Sequence, residues 1–234
     1  MALERLDKIL SNQGFGSRKQ IHQQLKNGDV KIEGKVITDS NFKIDPDSTS
    51  IEVKGKLINF SRFIYIMLNK PAGVLTATRD KKAETVLNLI PQHLKRPGLF
   101  PAGRLDKDTE GLLIITDDGQ FAHQMLSPKH HVPKTYLATL RSPIENTVVQ
   151  TFSEGIVIDD GYQCMPATLE ILEPCLAQLT ICEGKFHQVK RMFEAVGNEV
   201  VFLKRMRFGN IFLDENLKKG ECRLISQVEI DNIR

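Results

Sequence analysis

The sequence lacks a long apolar segment. In its 234 residues no apolar run approaches the roughly 20 residues that a membrane-spanning helix needs. The segment 1–10 carries charges every few positions and has no apolar core followed by a small-residue cleavage site, so no secretion signal is expected. We therefore expect a cytoplasmic protein that has no membrane partner.

Signatures of metal and cofactor binding are also missing. The four cysteines show no C-x-x-C spacing, which argues against a zinc site and against a disulfide framework. His130 and His131 are adjacent, so their side chains point apart, and no acidic or Cys residue completes a ligand set at metal spacing. No G-x-x-x-x-G-K-[ST] phosphate loop occurs. We expect neither a metal nor a small-molecule cofactor, and His130 and His131 could instead contact RNA.

A large excess of one charge is absent, but the charge that exists is concentrated. The net charge is +3, whereas the segment 185–207 alone contains six basic residues and two acidic ones. The rest of the chain is therefore close to neutral. Such a patch is typical of a nucleic-acid interface, although it also occurs on protein surfaces that have no such partner.

The N-terminal part of the chain is predicted to form a small module over residues 1–55. Leu6, Ile9 and Leu10 have helical spacing, and Ser17 is suited to cap a second helix whose apolar face carries Ile21 and Leu25. A hairpin and a further short strand are predicted at 30–32, 35–37 and 51–53. Residues 56–61 are predicted as a linker.

The remaining residues, 62–234, are predicted to form one larger domain. Strand patterns at 63–68, 135–140, 169–172 and 178–181 alternate with a helix pattern at 186–196. A strand pair and a short helix from about Ser226 end the chain. We therefore predict an α+β fold, with a large, mostly antiparallel mixed sheet flanked by helices.

The most informative segment of this domain is GRLDKDTEGLLIITDDG, residues 103–119. The apolar run 112–115 is short, branched and bounded by turn residues, which predicts a buried strand. Asp106 would then lie in a loop leading into a rigid strand, where a catalytic group can be exposed yet held in place. On spacing alone, Asp106, Asp108 and Glu110 could equally form an ordinary solvated acidic loop.

Three motifs in order resemble those of pseudouridine synthases of the RsuA/RluA type. They are NKPAG at 69–73, GRLD followed by DTEGLL at 103–113, and GKFHQVKRM at 184–192. The segments SPKHHVPKTY and EGKFHQVKRM are most similar to the branch that modifies one uridine of small-subunit (16S) ribosomal RNA. One departure is Phe186, where a tyrosine is usual. Two alternatives remain open, namely a large-subunit (23S) synthase of the same family and a non-catalytic RNA-binding factor of ribosome assembly.

The N-terminal module resembles the alpha-L RNA-binding module of the ribosomal protein S-four type. The match rests on RLDK, on SR before a helix, and on GDVKIEGKVI with a later strand. The resemblance implies that basic residues of the helical face, Arg5, Arg18 and Lys19 among them, contact phosphates. The alternative is that these are solvating charges on amphipathic helices.

The family resemblance also implies roles for residues of the larger domain. Asp106 is the catalytic carboxylate, either as nucleophile or as base, and Lys190 is its basic partner. Tyr136 packs its ring on the target base, and Arg104 occupies the space of the flipped base. Lys134 and Arg191 are expected to contact RNA. Without the resemblance, Tyr136 would be a core tyrosine, and Lys190 and Arg191 could bind phosphate without catalysis. The implied partner is ribosomal RNA, in the free subunit RNA or an assembly particle, and the protein is expected to be a monomer.

Overall fold

A computed structural model of the chain describes residues 3–46, 48–58 and 60–233. It separates into two compact units. The first comprises Met1–Ile64 together with Ile90–Leu99, and the second comprises Tyr65–Leu89 and Phe100–Arg234.

The first unit consists of two short helices and two small antiparallel sheets. Strands β1 and β4 form one sheet, and the order β3-β2-β5-β6 forms the other. Its elements are β1 (Glu4–Arg5), α1 (Leu6–Asn12), α2 (Arg18–Lys26), β2 (Val30–Ile32), β3 (Lys35–Val36), β4 (Lys43–Ile44), β5 (Ile51–Val53) and β6 (Lys56–Ile58).

Local sequence explains why α2 begins where it does. The Ser17 hydroxyl accepts a hydrogen bond from the Gln20 amide, and the Gln20 side chain accepts one from the Ser17 amide. This reciprocal capping box satisfies two amides that a helix end leaves free. Ile21 and Leu25 then point into a core shared with α1 and the strands, as the helical spacing predicts. The predicted helices of the module are confirmed.

Two tight hairpins organise the four-stranded sheet. Glu33 and Gly34 have φ values of 47° and 77°, and Lys54 and Gly55 have values of 49° and 77°. Two consecutive positive φ angles are the signature of a type I′ turn, whose twist matches that of paired strands. The second hairpin was missed by the sequence analysis. Residues 56–58, predicted there as part of a linker, form strand β6 because this turn returns the chain onto β5.

A short excursion of the chain also joins the first unit. Residues 90–99, which the sequence analysis includes in the larger domain, group with the first unit. Arg96 donates hydrogen bonds to the carbonyls of Ser61 (3.1 Å) and Arg62 (3.0 Å). These contacts join residues more than 30 positions apart, and sequence patterning carries no signal for them.

The second unit is built on a nine-stranded sheet. Its elements are β7 (Tyr65–Lys70), β8 (Phe100–Ala102), β9 (Glu110–Thr116), α3 (Gly119–Leu126), β10 (Lys134–Leu140), α4 (Thr147–Glu154), β11 (Thr168–Glu173), β12 (Leu176–Ile181), α5 (Gln188–Glu194), β13 (Val200–Phe208), β14 (Ile211–Phe212), β15 (Cys222–Leu224) and α6 (Gln227–Asp231).

The sheet is almost entirely antiparallel, as predicted. Its order is β11-β12-β10-β13-β9-β7-β15, with β14 paired to β13 and β8 paired to β9. Its one parallel pairing joins β13 to β9, where Lys204 lies opposite Glu110 and Arg205 lies opposite Gly111. The α+β architecture, with a small module preceding a larger domain, is confirmed.

Helices cover this sheet through apolar contacts. Met67, Leu112 and Ile114 from the central strands pack in one cluster with Phe121 and Met125 of α3. Helices α4 and α5 meet through Phe152 and Phe193, whose ring centroids are 5.2 Å apart. In the part of the chain that the structure describes, no helix is long and apolar enough to span a membrane.

Candidate active site

Asp106 lies on the loop between β8 and β9. Every residue of β9 is buried, which confirms the buried strand predicted at 112–115. The Asp106 side chain is 29% exposed, so its carboxylate is reachable from solvent while the backbone leads into the sheet. The Thr109 amide donates to the Asp106 carbonyl at 3.1 Å and tightens the turn.

Lys70, the last residue of β7, holds the Asp106 loop through backbone carbonyls. Its ammonium donates to the carbonyls of Pro71, Asp106 and Lys107, each at 3.1 Å, and of Thr109 at 2.9 Å. The Lys70 side chain is fully buried. A single buried cation thus holds the backbone oxygens of Asp106 and of two residues that follow it, Lys107 and Thr109, and so fixes where the Asp106 carboxylate lies.

Burial lowers the pKa of Lys70 to about 8, and the nearby Asp108, Asp106 and Glu110 carboxylates only partly oppose this shift. Lys70 therefore still carries its charge at neutral pH. The sequence analysis quoted NKPAG as a motif and gave Lys70 no role. One signal for this role was available, namely a lysine at the end of a strand of apolar residues. Lysine is seldom fully buried unless it is paired, so a lysine at such a position is expected to have a partner.

Gly111, the second residue of the strand β9 that follows the loop, allows a close backbone approach. Its φ is 99°, and a Cβ at this position would lie 2.3 Å from the Arg205 carbonyl oxygen. Any other residue would therefore push β9 away from β13. The glycine in DTEGLL thus allows β9, the strand that follows the Asp106 loop, to lie against β13.

Lys190, on α5, has a different partner from the one predicted. Its ammonium lies 2.7 Å from both carboxylate oxygens of Asp108, not against Asp106. The Lys190 side chain is 18% exposed and that of Asp108 is 70% exposed. The hydrogen bond from Lys190 lowers the pKa of Asp108, against a smaller opposing effect of burial. Helix α5 therefore brings Lys190 to the loop that carries Asp106, but its partner is Asp108, two residues after Asp106.

The side chain that approaches Asp106 is His187. Its Nε2 lies 3.6 Å from Asp106 Oδ1. His187 has a φ of 51°, an uncommon left-handed conformation, and immediately precedes α5. The sequence analysis quoted His187 only as part of the motif GKFHQVKRM and gave it no role. In the described residues no group of His, Cys, Asp and Glu side chains could hold a metal ion.

Tyr136 occupies a buried position in the middle of β10. It pairs with Leu179 on one side and with Arg205 on the other. Its hydroxyl makes no hydrogen bond to any residue that the structure describes. The burial of the ring fits the core-tyrosine alternative, and nothing that the ring contacts excludes a stacking role. The geometry therefore leaves stacking on the target base as a prediction.

Arg104 has the freedom that its predicted role requires. It is exposed, two residues before Asp106, and its guanidinium makes no hydrogen bond or ion pair with any described residue. A cation without a partner at the edge of the catalytic loop can meet a phosphate or fill the gap left by an extruded base.

Two other predicted RNA contacts are corrected by the structure. Lys134 is buried, donates to the Val132 carbonyl at 2.9 Å and lies 5.4 Å from the Phe208 ring centroid, so it is not available to surface phosphates. Burial lowers its pKa to about 8. Arg191 is bound by the carboxylates of Asp159 and Asp160, which neutralise it.

Comparison with known proteins identifies the family. A model described as "RNA pseudouridylate synthase" matches residues 64–195, and a model of the S4 domain matches residues 4–49. The chain belongs to the RNA pseudouridylate synthase family. It is therefore an isomerase with an S4-type RNA-binding domain at its N-terminal end.

Full-length relatives support the assignment. The synthase is 47% identical to "Uncharacterized RNA pseudouridine synthase YtzG" of Bacillus subtilis over 97% of this chain and 96% of that protein. It is 41% identical to "Ribosomal small subunit pseudouridine synthase A" of Salmonella typhimurium, over 98% of this chain and 99% of that protein. A crystal structure of a pseudouridylate synthase matches 98% of this chain and 99% of its own, with 38% identity and a TM-score of 0.69.

In the S4 domain of the synthase, the three predicted phosphate contacts differ in their surroundings. Arg5 binds the buried Asp7 carboxylate through two hydrogen bonds, of 3.0 and 2.8 Å, and so has a structural partner already. Arg18 and Lys19 lie exposed in the first turn of α2 and make no ion pair with any described residue. Arg18 and Lys19 are thus better placed than Arg5 to bind RNA.

Proposed function

We propose that this synthase converts one uridine of small-subunit (16S) ribosomal RNA to pseudouridine, acting as a cytoplasmic monomer. The observation that carries the proposal is the Asp106 carboxylate, partly exposed on a loop that Lys70 holds by its backbone. Similarity over nearly the whole chain to relatives named as small-subunit synthases supports the choice of substrate.

The reaction breaks the bond between uracil N1 and ribose C1′ and forms a bond between C5 and C1′. The proton on C5 is lost and N1 gains one, so the product is an isomer of the substrate. Asp106 serves this exchange either as the nucleophile at C1′ or as the base that removes a ribose proton. In both cases the loop must keep the carboxylate at the sugar while the base turns.

The other side chains bind and orient the nucleotide. Arg104 meets the RNA at the position of the extruded base, and Tyr136 supports the base by stacking. One stacked ring contributes about 1–3 kcal/mol, which offsets much of the few kcal/mol needed to unstack a base. Lys190 supplies positive charge next to the carboxylates of the loop, and the S4 domain adds phosphate contacts through Arg18 and Lys19.

The deciding experiment supplies purified synthase with 16S RNA, 23S RNA and small-subunit assembly particles, and maps pseudouridine by chemical labelling and primer extension. We expect one new position, in 16S RNA. Asp106→Asn should abolish it while keeping RNA affinity within a few fold, because phosphate contacts dominate affinity. Glu170→Gln, the same chemical change on the exposed strand β11, should remain active.

Each alternative has its own outcome. A label in 23S RNA alone would identify a large-subunit synthase. Tight RNA binding without any label would favour a non-catalytic assembly factor. Activity retained in Asp106→Asn would show that the catalytic carboxylate is another residue. Size-exclusion chromatography with light scattering tests the monomer.

A further inference from the structure

Phe186 exposes a large apolar ring where the structure gives it no core to pack on. Its relative exposure is 75%, on the turn between β12 and α5. The ring nevertheless has a defined neighbour. It stacks on the His187 imidazole with centroids 3.8 Å apart and planes inclined by 15°.

The stacked pair lies at the catalytic carboxylate. His187 is the residue whose Nε2 lies 3.6 Å from Asp106 Oδ1. Phe186 therefore forms the outer layer of a two-ring stack that begins at the active site. One face of the phenyl ring is covered by imidazole and the other faces solvent.

The backbone that carries the pair is held in place. Arg191 donates a hydrogen bond of 3.3 Å to the Phe186 carbonyl and is itself fixed by Asp159 and Asp160. The amide of Lys185, one residue earlier, donates to the Gln188 side chain at 2.8 Å. An aromatic platform held in this way loses little conformational entropy when a ligand stacks on it.

We propose that Phe186 stacks an unpaired base next to the target uridine and so fixes which nucleotide enters the active site. This inference rests on the proposed function. A phenyl ring offers no hydrogen bond, so it selects a stacked, unpaired nucleotide without reading which base it is. The neighbouring charge suits RNA, since Lys185 is adjacent in the chain and exposed.

The test is a coupling measurement between the ring and each flanking base. The probes are short single-stranded RNAs from the segment that contains the mapped uridine, each with one abasic ribose at a chosen position. Affinities are measured by filter binding for the native chain and for Phe186→Leu, Phe186→Tyr and Phe212→Leu. Phe212 is the matched control, a phenyl ring 62% exposed on β14.

For the native chain, loss of the base at one flanking position should weaken binding about 5- to 150-fold, the range of a stacked base. In Phe186→Leu the same loss should change affinity less than about 2-fold, because the ring that held the base is gone. Phe186→Tyr and Phe212→Leu should behave as the native chain. Because Phe186 is exposed, unchanged thermal unfolding is expected in all variants.

Two results would overturn the proposal. The first is an abasic penalty in Phe186→Leu that equals the native penalty at every flanking position, as expected if the ring binds a protein partner. The second is coupling only at the target uridine itself, which would make Phe186 part of the pocket for that base. Because the probes come from the segment of a mapped uridine, absence of pseudouridine would refute the proposed function before this test, whereas a mapped uridine without coupling to Phe186 would refute this inference alone.

Discussion

Lys190 offers the sharpest test of the site, because the structure pairs it with Asp108 and the proposed reaction requires it near Asp106. The perturbations are Lys190→Met, Asp108→Asn and the double variant. Asp108 is 70% exposed, so this ion pair is screened and should contribute about 0.2–1 kcal/mol to the free energy of unfolding. Neither single change should unfold the domain.

The rates separate the two roles of Lys190. If the lysine acts only by holding Asp108, all three variants should slow single-turnover catalysis by the same small factor, at most about 5-fold. If it serves Asp106 during the reaction, Lys190→Met should slow catalysis by about 10- to 1000-fold, the effect of losing a charge that stabilises the transition state by about 1.4–4 kcal/mol. We expect the second outcome, with Asp108→Asn remaining within about 5-fold of the native rate.

The pH dependence of stability checks the pair independently. The pKa of Asp108 is lower in the folded protein, mainly through the hydrogen bond from Lys190. The stabilisation is therefore present above the ordinary carboxyl range and is lost as the pH falls through the lowered pKa. Asp108→Asn should remove this acid-dependent part. Equal rate losses in Lys190→Met and Asp108→Asn would refute a catalytic role for the lysine and make it a positioning residue.

Three further predictions concern Tyr136, Lys70 and the S4 domain. Tyr136→Phe should keep stacking and nearly the native rate, whereas Tyr136→Leu should lose about 5- to 150-fold in single-turnover rate on saturating RNA. Lys70→Met should lower the free energy of unfolding by about 2–4 kcal/mol in urea titrations, because it leaves four backbone carbonyl oxygens without their hydrogen-bond donor. In the native synthase the single-turnover rate should fall as the pH rises through about 8, where Lys70 loses its proton. The melting temperature should not fall for this reason. The Lys70 pKa is about 10.5 in the unfolded chain and about 8 in the folded one, so deprotonation between these values favours the folded state. Arg18→Gln and Lys19→Gln should each reduce the log–log salt slope of RNA binding by about 0.7–0.9, and Arg5→Gln, whose residue already binds Asp7, should leave the slope unchanged.

The sequence predicts those parts of the molecule whose cause is local. Ser17 and Gln20 cap α2 through neighbouring atoms, and the run 112–115 is a strand because a short branched segment must be buried. The position of Asp106 before that strand follows from the same pattern. Residue type and spacing are sufficient wherever the partner is a few positions away.

The remainder depends on contacts between distant residues. The partner of Lys190 lies 82 positions away, and spacing on α5 cannot choose between two carboxylates on one loop. The anchoring by Lys70 depends on carbonyl directions, which leave no trace in side-chain patterns. Lys134 and Arg191 were assigned from the family resemblance, whereas burial of Lys134 and the two carboxylates beside Arg191 decide what they can bind.

The short parallel pairing of β13 with β9 divides the candidate site residues between two groups of strands in one sheet. Asp106 precedes β9 and Lys70 ends β7, whereas Tyr136 belongs to β10, on the other side of this pairing in the strand order. A change in the spacing of β13 and β9 would therefore change the distance between the Asp106 loop and Tyr136. Gly111, where a side chain would wedge the strands apart, keeps the two strands close. The enzyme's alignment is thus as sensitive to the spacing of two strands as to the chemistry of its side chains.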